Sequence, residues 1–174
     1  MIRTAEDEAR SAKYAHVERE RRWLIDPAQT APLGGRFVLI EDRYISGTRM
    51  RLRRMLDSAN GAVALKLTKK YDASDPLARP IVTTYLTEAE YALIATLPAE
   101  QLVKRRVALH DADHTYSIDW FFGPLEGLVL AEIEWPDDAG LRCLPPPPGA
   151  VREVSGDWRY EGGSLAVRGI PEEQ

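Results

Sequence analysis

Glu18 and Glu20 stand two residues apart, with Arg22 two further on, in the run HVERERRWLI over residues 16–25. In an extended strand successive side chains alternate faces, so these three would share one side. The same spacing recurs at Arg49, Arg51 and Arg53, at Lys66, Thr68 and Lys70, at Lys104 and Arg106, and at Glu132 and Glu134. Apolar residues occupy the opposite parity: Met50 and Leu52, Leu65 and Leu67, Val103 and Val107, then Ala131, Ile133 and Trp135. A solvated sheet face ordinarily mixes signs, whereas each of these strands carries nearly one sign. That segregation implies faces that meet one another. Converging carboxylates repel, and at neutral pH they take up protons or gather cations. A ligand set of oxygens without histidine or cysteine selects hard divalent ions, Mg2+ or Mn2+. The arginine fork matches phosphate oxygens in pairs and lysine adds a compact charge, so the basic rows read as a polyphosphate cradle. Acids, metal and cradle together are the requirements of phosphoryl transfer, with a metal-activated or carboxylate-positioned water as the attacking group.

The elements that must position these side chains can be read from alternation and breakers. Eight strands are expected at roughly 16–25, 36–46, 47–57, 61–71, 79–86, 102–110, 114–122 and 127–135. Turns fall at Gly47, Asn60-Gly61, Asp111-Ala112-Asp113 and Gly123-Pro124, and such short connections imply antiparallel neighbours. Thr87 with Glu90 has the form of a capping box, followed by an apolar stripe of Tyr91, Leu93 and Ile94 that ends before Pro98. A second short helix is expected near residues 2–14. Eight antiparallel strands can close into a barrel whose interior holds side chains or one small ligand. The fold class expected is therefore α+β, mainly β: a closed antiparallel eight-stranded barrel with a charged interior and a few helices packed outside.

A chain of 174 residues, 44% of them hydrophobic, suits one domain over 1–174 with a real core. The formal net charge of -4 gives no general attraction to nucleic acid or to an anionic membrane. Cys143 is the sole cysteine, which excludes an intramolecular disulfide and a multi-cysteine metal site. No apolar run of signal-peptide or membrane-spanning length occurs, so a cytoplasmic protein is expected.

The ordered series of motifs resembles the CYTH superfamily, the triphosphate tunnel metalloenzymes. Glu18-Arg19-Glu20-Arg21-Arg22 is similar to the Glu-x-Glu-x-Lys signature of that family, with arginine in place of lysine. Tyr44 followed by Arg49-Met50-Arg51, Lys66, and Lys104-Arg105-Arg106 resemble its basic segments. Asp119-Trp120-Phe121-Phe122-Gly123 and the run from Gly127 to Glu134 resemble its Asp-x-Phe-x-Gly and Gly-Leu-x-x-Ala-Glu-x-Glu segments, and Asp157-Trp158-Arg159-Tyr160 its closing segment. The resemblance implies a tunnel that binds triphosphate on Arg22, Arg49, Arg51, Arg53, Lys66, Lys104 and Arg106, and Mg2+ or Mn2+ on Glu18, Glu20, Glu132 and Glu134. It implies hydrolysis of inorganic tripolyphosphate or thiamine triphosphate, with cyclisation of ATP as a lesser alternative, and it is compatible with a homodimer. Many members carry another Glu-x-Glu just before the central helix, where this chain reads Val82-Thr83-Thr84-Tyr85-Leu86-Thr87. That departure favours one metal over two and leaves a non-catalytic polyphosphate- or nucleotide-binding module as the alternative function.

Other residues divide between chemistry and structure. Asp119 reads equally as a lumen acid supporting the site and as a strand-edge ion pair. Lys69 and Lys70 are ambiguous. His110 and His114 flank a hairpin turn and read as solvated, and Cys143 as inert. Trp23, Trp120 and Trp135 are out of phase with the charged rows and should pack outside the barrel, under helices. Arg159 and Tyr160 belong to a C-terminal segment folding over a tunnel mouth.

Overall fold

A computed structural model describes residues 14–29 and 35–172. The helix expected near residues 2–14 lies outside the described residues, apart from Tyr14. Among the described residues there are nine strands: β1 His16–Ile25, β2 Val38–Ile45, β3 Met50–Asp57, β4 Val63–Lys70, β5 Ala78–Tyr85, β6 Ala99–Asp111, β7 His114–Phe121, β8 Val129–Glu134 and β9 Ala150–Glu153. Three short helices accompany them: α1 Glu88–Ile94, α2 Asp138–Cys143 and α3 Gly162–Arg168. The strand order is β5-β4-β3-β2-β6-β7-β8-β1-β9, and β5 also pairs with β1. Every neighbour is antiparallel, so β1 to β8 form a closed barrel and β9 is an added strand.

The closure strand β1 is divided along its length. Residues 16–19 pair with β5 and residues 23–25 with β9. Both lie on one edge, because the Glu20 N–H donates to the Leu77 carbonyl while the Arg22 carbonyl, two residues on, accepts from the Val154 N–H. The opposite edge runs along β8, pairing Glu20 with Glu134 and Arg22 with Glu132.

The outward parity builds the larger core. Trp23, Ile25, Tyr116, Ile118, Val129, Ala131 and Ile133 pack with Leu141 of α2 and Leu144, and Trp120 and Trp135 lie against them, so the three tryptophans sit outside the barrel as expected. The inward parity gathers an apolar cluster at one end. Leu102, Phe121 and Leu130 join Leu125, Leu128, Val154, Tyr160 and Leu165 in a second core, with Leu24 and Tyr44 against it. On β6 and β8 the inward row thus begins apolar and turns charged: Leu102 before Lys104 and Arg106, and Leu130 before Glu132 and Glu134.

The capping box of α1 forms as read: the Glu90 N–H donates to the Thr87 hydroxyl, and the Thr87 N–H to the Glu90 carboxylate. Its apolar stripe packs less than expected. No residue of α1 is buried, and Leu93 is exposed. Both β9 and α3 escaped the strand and helix patterns. α3 closes the apolar end through Leu165, and its first residues lie against Tyr44. A Cβ on Gly162 would stand 1.9 Å from the Tyr44 hydroxyl, closer than any real contact. Gly162→Ala should therefore displace Tyr44 or α3 and destabilise the chain by roughly 1–3 kcal/mol. The check is the urea midpoint, compared with an unchanged one for Gly156→Ala, an exposed position where a Cβ would meet only Pro76, at 3.8 Å.

Candidate active site

Barrel closure turns the charged rows inward around a cavity of 420 Å³. Arg22, Arg49, Arg51, Arg53, Lys104 and Arg106 line it, as do Glu18, Glu20, Glu132 and Glu134. The expected site residues are therefore brought together, with one exception. Lys66 faces inward across from Arg53 but is not part of the cavity wall; its ammonium lies 5.0 Å from the Tyr85 ring centroid. Lys70, two inward positions further along β4, reaches the acids in its place and donates to Glu18.

The acids separate into two kinds. Glu18, Glu20 and Glu134 each offer an oxygen within 4.8 Å of the others. Burial pushes the Glu20 carboxyl up, with Glu132 adding to it, and burial does the same to Glu134 with Glu18 adding. Crowded acids of raised pKa, with oxygen donors only, fit a hard divalent cation. Glu132 stands apart from this trio. The Arg22 Nε donates to it at 2.9 Å, and Arg106 donates to its other oxygen. Burial pushes its carboxyl up, but Lys104, Arg22, Arg106 and Arg53 together outweigh that and hold it well below the ordinary value. Glu132 is thus an ionised organiser of guanidiniums in this arrangement, and Arg22 is a bridge, since it also donates to Glu20 and to the Tyr160 carbonyl.

Two buried aspartates anchor the remaining cations. Asp119 is fully buried; it accepts from Lys104 and twice from Arg106, at 2.7 and 2.6 Å. This joins both readings of Asp119: it is an ion-pair residue, and it supports the site. Asp42, on the inward row of β2, plays the same part for β3. It is 1% exposed and takes both prongs of Arg53, at 2.6 and 2.7 Å, with the Arg51 Nε 3.7 Å away. Burial pushes Lys104 down and Tyr44 up to about 12.

Sequence reading passed over Asp42, although its alternation with Ile40 and Tyr44 against outward Glu41 and Arg43 was available as a signal. It also passed over Arg79 of β5, which forms two bonds of 2.9 and 2.6 Å with Glu161 just ahead of α3. Tyr160 lines the cavity, as expected of a segment over a mouth, whereas Arg159 is held by Asp157 in an outer groove. His110 meets Thr115 across the hairpin, and Cys143 is exposed.

Comparison with known proteins agrees with the geometry. No protein-family model matches the chain. A curated inorganic triphosphatase of Acetivibrio thermocellus is 45% identical over 51 residues, which are 29% of this chain and 31% of that protein. The match therefore spans about a third of the relative's length. Two crystal structures of one protein, named in one of them an inorganic triphosphatase, superpose with TM-scores of 0.58 and 0.56. They are 23% and 22% identical, covering 88% and 89% of this chain and 99% and 97% of theirs. The likeness is one of fold: an eight-stranded closed antiparallel barrel, the architecture the resemblance implied.

The Asp42 pair gives a measurable pH dependence. Burial pushes the Asp42 carboxyl up, but Arg53 chiefly, with Arg51 and Lys104, brings it below its ordinary 3.8. Its stabilising effect is then complete above that ordinary value and is lost as pH falls through the depressed folded value. Asp42→Asn leaves a buried guanidinium uncompensated, so it should cost roughly 3–5 kcal/mol at neutral pH. Chemical denaturation from pH 7 down to pH 2 should show that deficit shrinking toward the acid end; a constant deficit would assign it to packing.

Proposed function

We propose that this protein hydrolyses a short-chain triphosphate, inorganic tripolyphosphate before any organic triphosphate, in the charged lumen of its barrel. The observation that carries the reading is the meeting of a carboxylate trio and a guanidinium cradle in one cavity. Arg51, Arg53, Lys104 and Arg106 supply fixed positive charge along the wall, oriented by Asp42 and Asp119. A triphosphate lying on them has its far end against the apolar floor and its near end at Glu18, Glu20 and Glu134. Those three residues would hold Mg2+ or Mn2+, and the ion would supply charge neutralisation on the transferring phosphoryl group and a more acidic water. Glu132 keeps Arg22 and Arg106 aimed inward while carrying its own negative charge. Preorganised donors of this kind favour the charge that spreads over the phosphoryl oxygens as the terminal phosphoanhydride bond breaks.

The named relatives support the same activity: both the curated Acetivibrio thermocellus protein and the solved structure are called inorganic triphosphatases. A second reading is favoured by β5. Its inward residues Arg79, Ile81, Thr83 and Tyr85 include no carboxylate, so the same cradle could serve as a polyphosphate-binding module without turnover.

Phosphate release from tripolyphosphate with Mn2+ or Mg2+ separates the two. The hydrolase should turn over, lose about 100-fold or more in kcat with Glu134→Gln, and retain tripolyphosphate binding by calorimetry in that variant. Arg51→Ala should weaken binding of tripolyphosphate instead, because it removes a cradle fork. Binding without release from tripolyphosphate, thiamine triphosphate or nucleoside triphosphates, under any divalent ion, would sink the hydrolase and leave the module.

A further inference from the structure

The composition of β5 bears on how many ions the tunnel takes. Ile81 lies directly across from Lys70 in the β4–β5 pair, and Thr83 directly across from Thr68, with their hydroxyls 2.9 Å apart. Among the described residues, the carboxylates grouped closely enough to share an ion therefore come from β1 and β8, as Glu18 and Glu20 on one strand and Glu134 on the other, while Glu161 of the same cavity is held by both prongs of Arg79. Across the intervening β5, Lys70 extends past Ile81 and its ammonium donates to Glu18. Its charge also acts on Glu20 and Glu134, opposing the effect of burial on both. The ammonium has donors and no acceptor, so at the carboxylate trio it can act only as a cation.

Donor counting gives the same answer. A magnesium-like ion needs about six oxygens in a near-octahedral shell. Three carboxylates, phosphate oxygens and water complete one such shell. A second ion would need anionic oxygens on the β4–β5 side, where this chain places Ile81, the Lys70 ammonium and two neutral threonine hydroxyls bonded to each other.

We infer that Lys70 is a tethered cation standing where a second divalent ion would stand, so that the tunnel takes a single Mg2+ or Mn2+ and Lys70 completes its charge neutralisation against triphosphate. The inference rests on the metal-dependent reading above. It makes Lys70 a substrate-binding residue: with an ion on the trio, its ammonium turns from Glu18 to the phosphate oxygens beside it.

Mn2+ binding followed by calorimetry and by electron paramagnetic resonance tests this on the full chain, without turnover. Wild type should bind one Mn2+ per chain, and Glu134→Gln should weaken it. Lys70→Gln removes a competing positive charge and should bind Mn2+ about tenfold more tightly, while Lys70→Arg should stay near wild type. In turnover of tripolyphosphate, Lys70→Gln should lose activity and Lys70→Arg should retain most of it. One Mn2+ in wild type with no gain in Lys70→Gln would overturn the inference alone, as would two Mn2+ in wild type. No Mn2+ binding in wild type would overturn the inference together with the metal reading.

Discussion

The structure depends on the cost of enclosing charge. Closing β1 onto β5 withdraws the inward rows from bulk water, and an ion left unpaired there would cost several kcal/mol even after relaxation. Most strands contribute nearly one sign, so apart from the Arg22–Glu20 pair within β1 they cannot neutralise themselves. Neutralisation has to come from the neighbours, and the barrel order provides it. Asp42 of β2 sits beside Arg53 of β3, Asp119 of β7 beside Arg106 of β6, and Glu132 of β8 beside Arg22 of β1. Strand order and charge order are one design, and a register slip of one residue would turn acids and bases outward together.

That requirement explains why the apolar core lies where it does. A lumen filled with ion pairs contributes little hydrophobic stabilisation, so the barrel packs its outer wall instead, around Trp23, Tyr116 and Ile118 beneath α2. The second core, at Leu102, Phe121 and Leu130, plugs one end of the interior. The plug excludes water from the deep end of the cradle, which strengthens the electrostatics of Lys104 and Arg53. It also needs a cover, and α3 supplies it: Gly162 and Gly163 allow the helix to press onto Tyr44 without a Cβ in the way.

The wall of the tunnel was legible from the sequence because alternation of period two survives any tertiary context that keeps the strand. Glu18, Arg51, Lys104 and Glu134 needed only their parity to be placed. Partnerships were not legible, since Lys70 and Glu18 are separated by 52 residues and Arg79 and Glu161 by 82, and parity says nothing about which charges meet. Lys66 and Lys70 share a face, so only the stagger of the strands decides that Lys70 reaches the acids. β9 and α3 left no periodic signal: one is four residues long and the other begins with two glycines, which propensity reads as loop.

The ion pairs also sort themselves by how readily a phosphate could replace the carboxylate. Asp42 and Asp119 are 1% and 0% exposed; each is enclosed on its strand and cannot leave without exposing a buried cation. Their partners are permanent fixtures that present remaining donors to the lumen. Glu18 on Lys70, Glu161 on Arg79 and Asp72 on Arg49 are more accessible, with side-chain exposures of 14%, 38% and 91%. These acids can swing aside, and their cations are the ones an entering anion can recruit. On the proposed function, a triphosphate would meet a cradle whose geometry is set before it arrives, surrounded by cations whose carboxylates act as placeholders. Affinity for the anion is the difference between its bonds and those it displaces, which tempers binding at the rim while leaving the deep cradle at full strength.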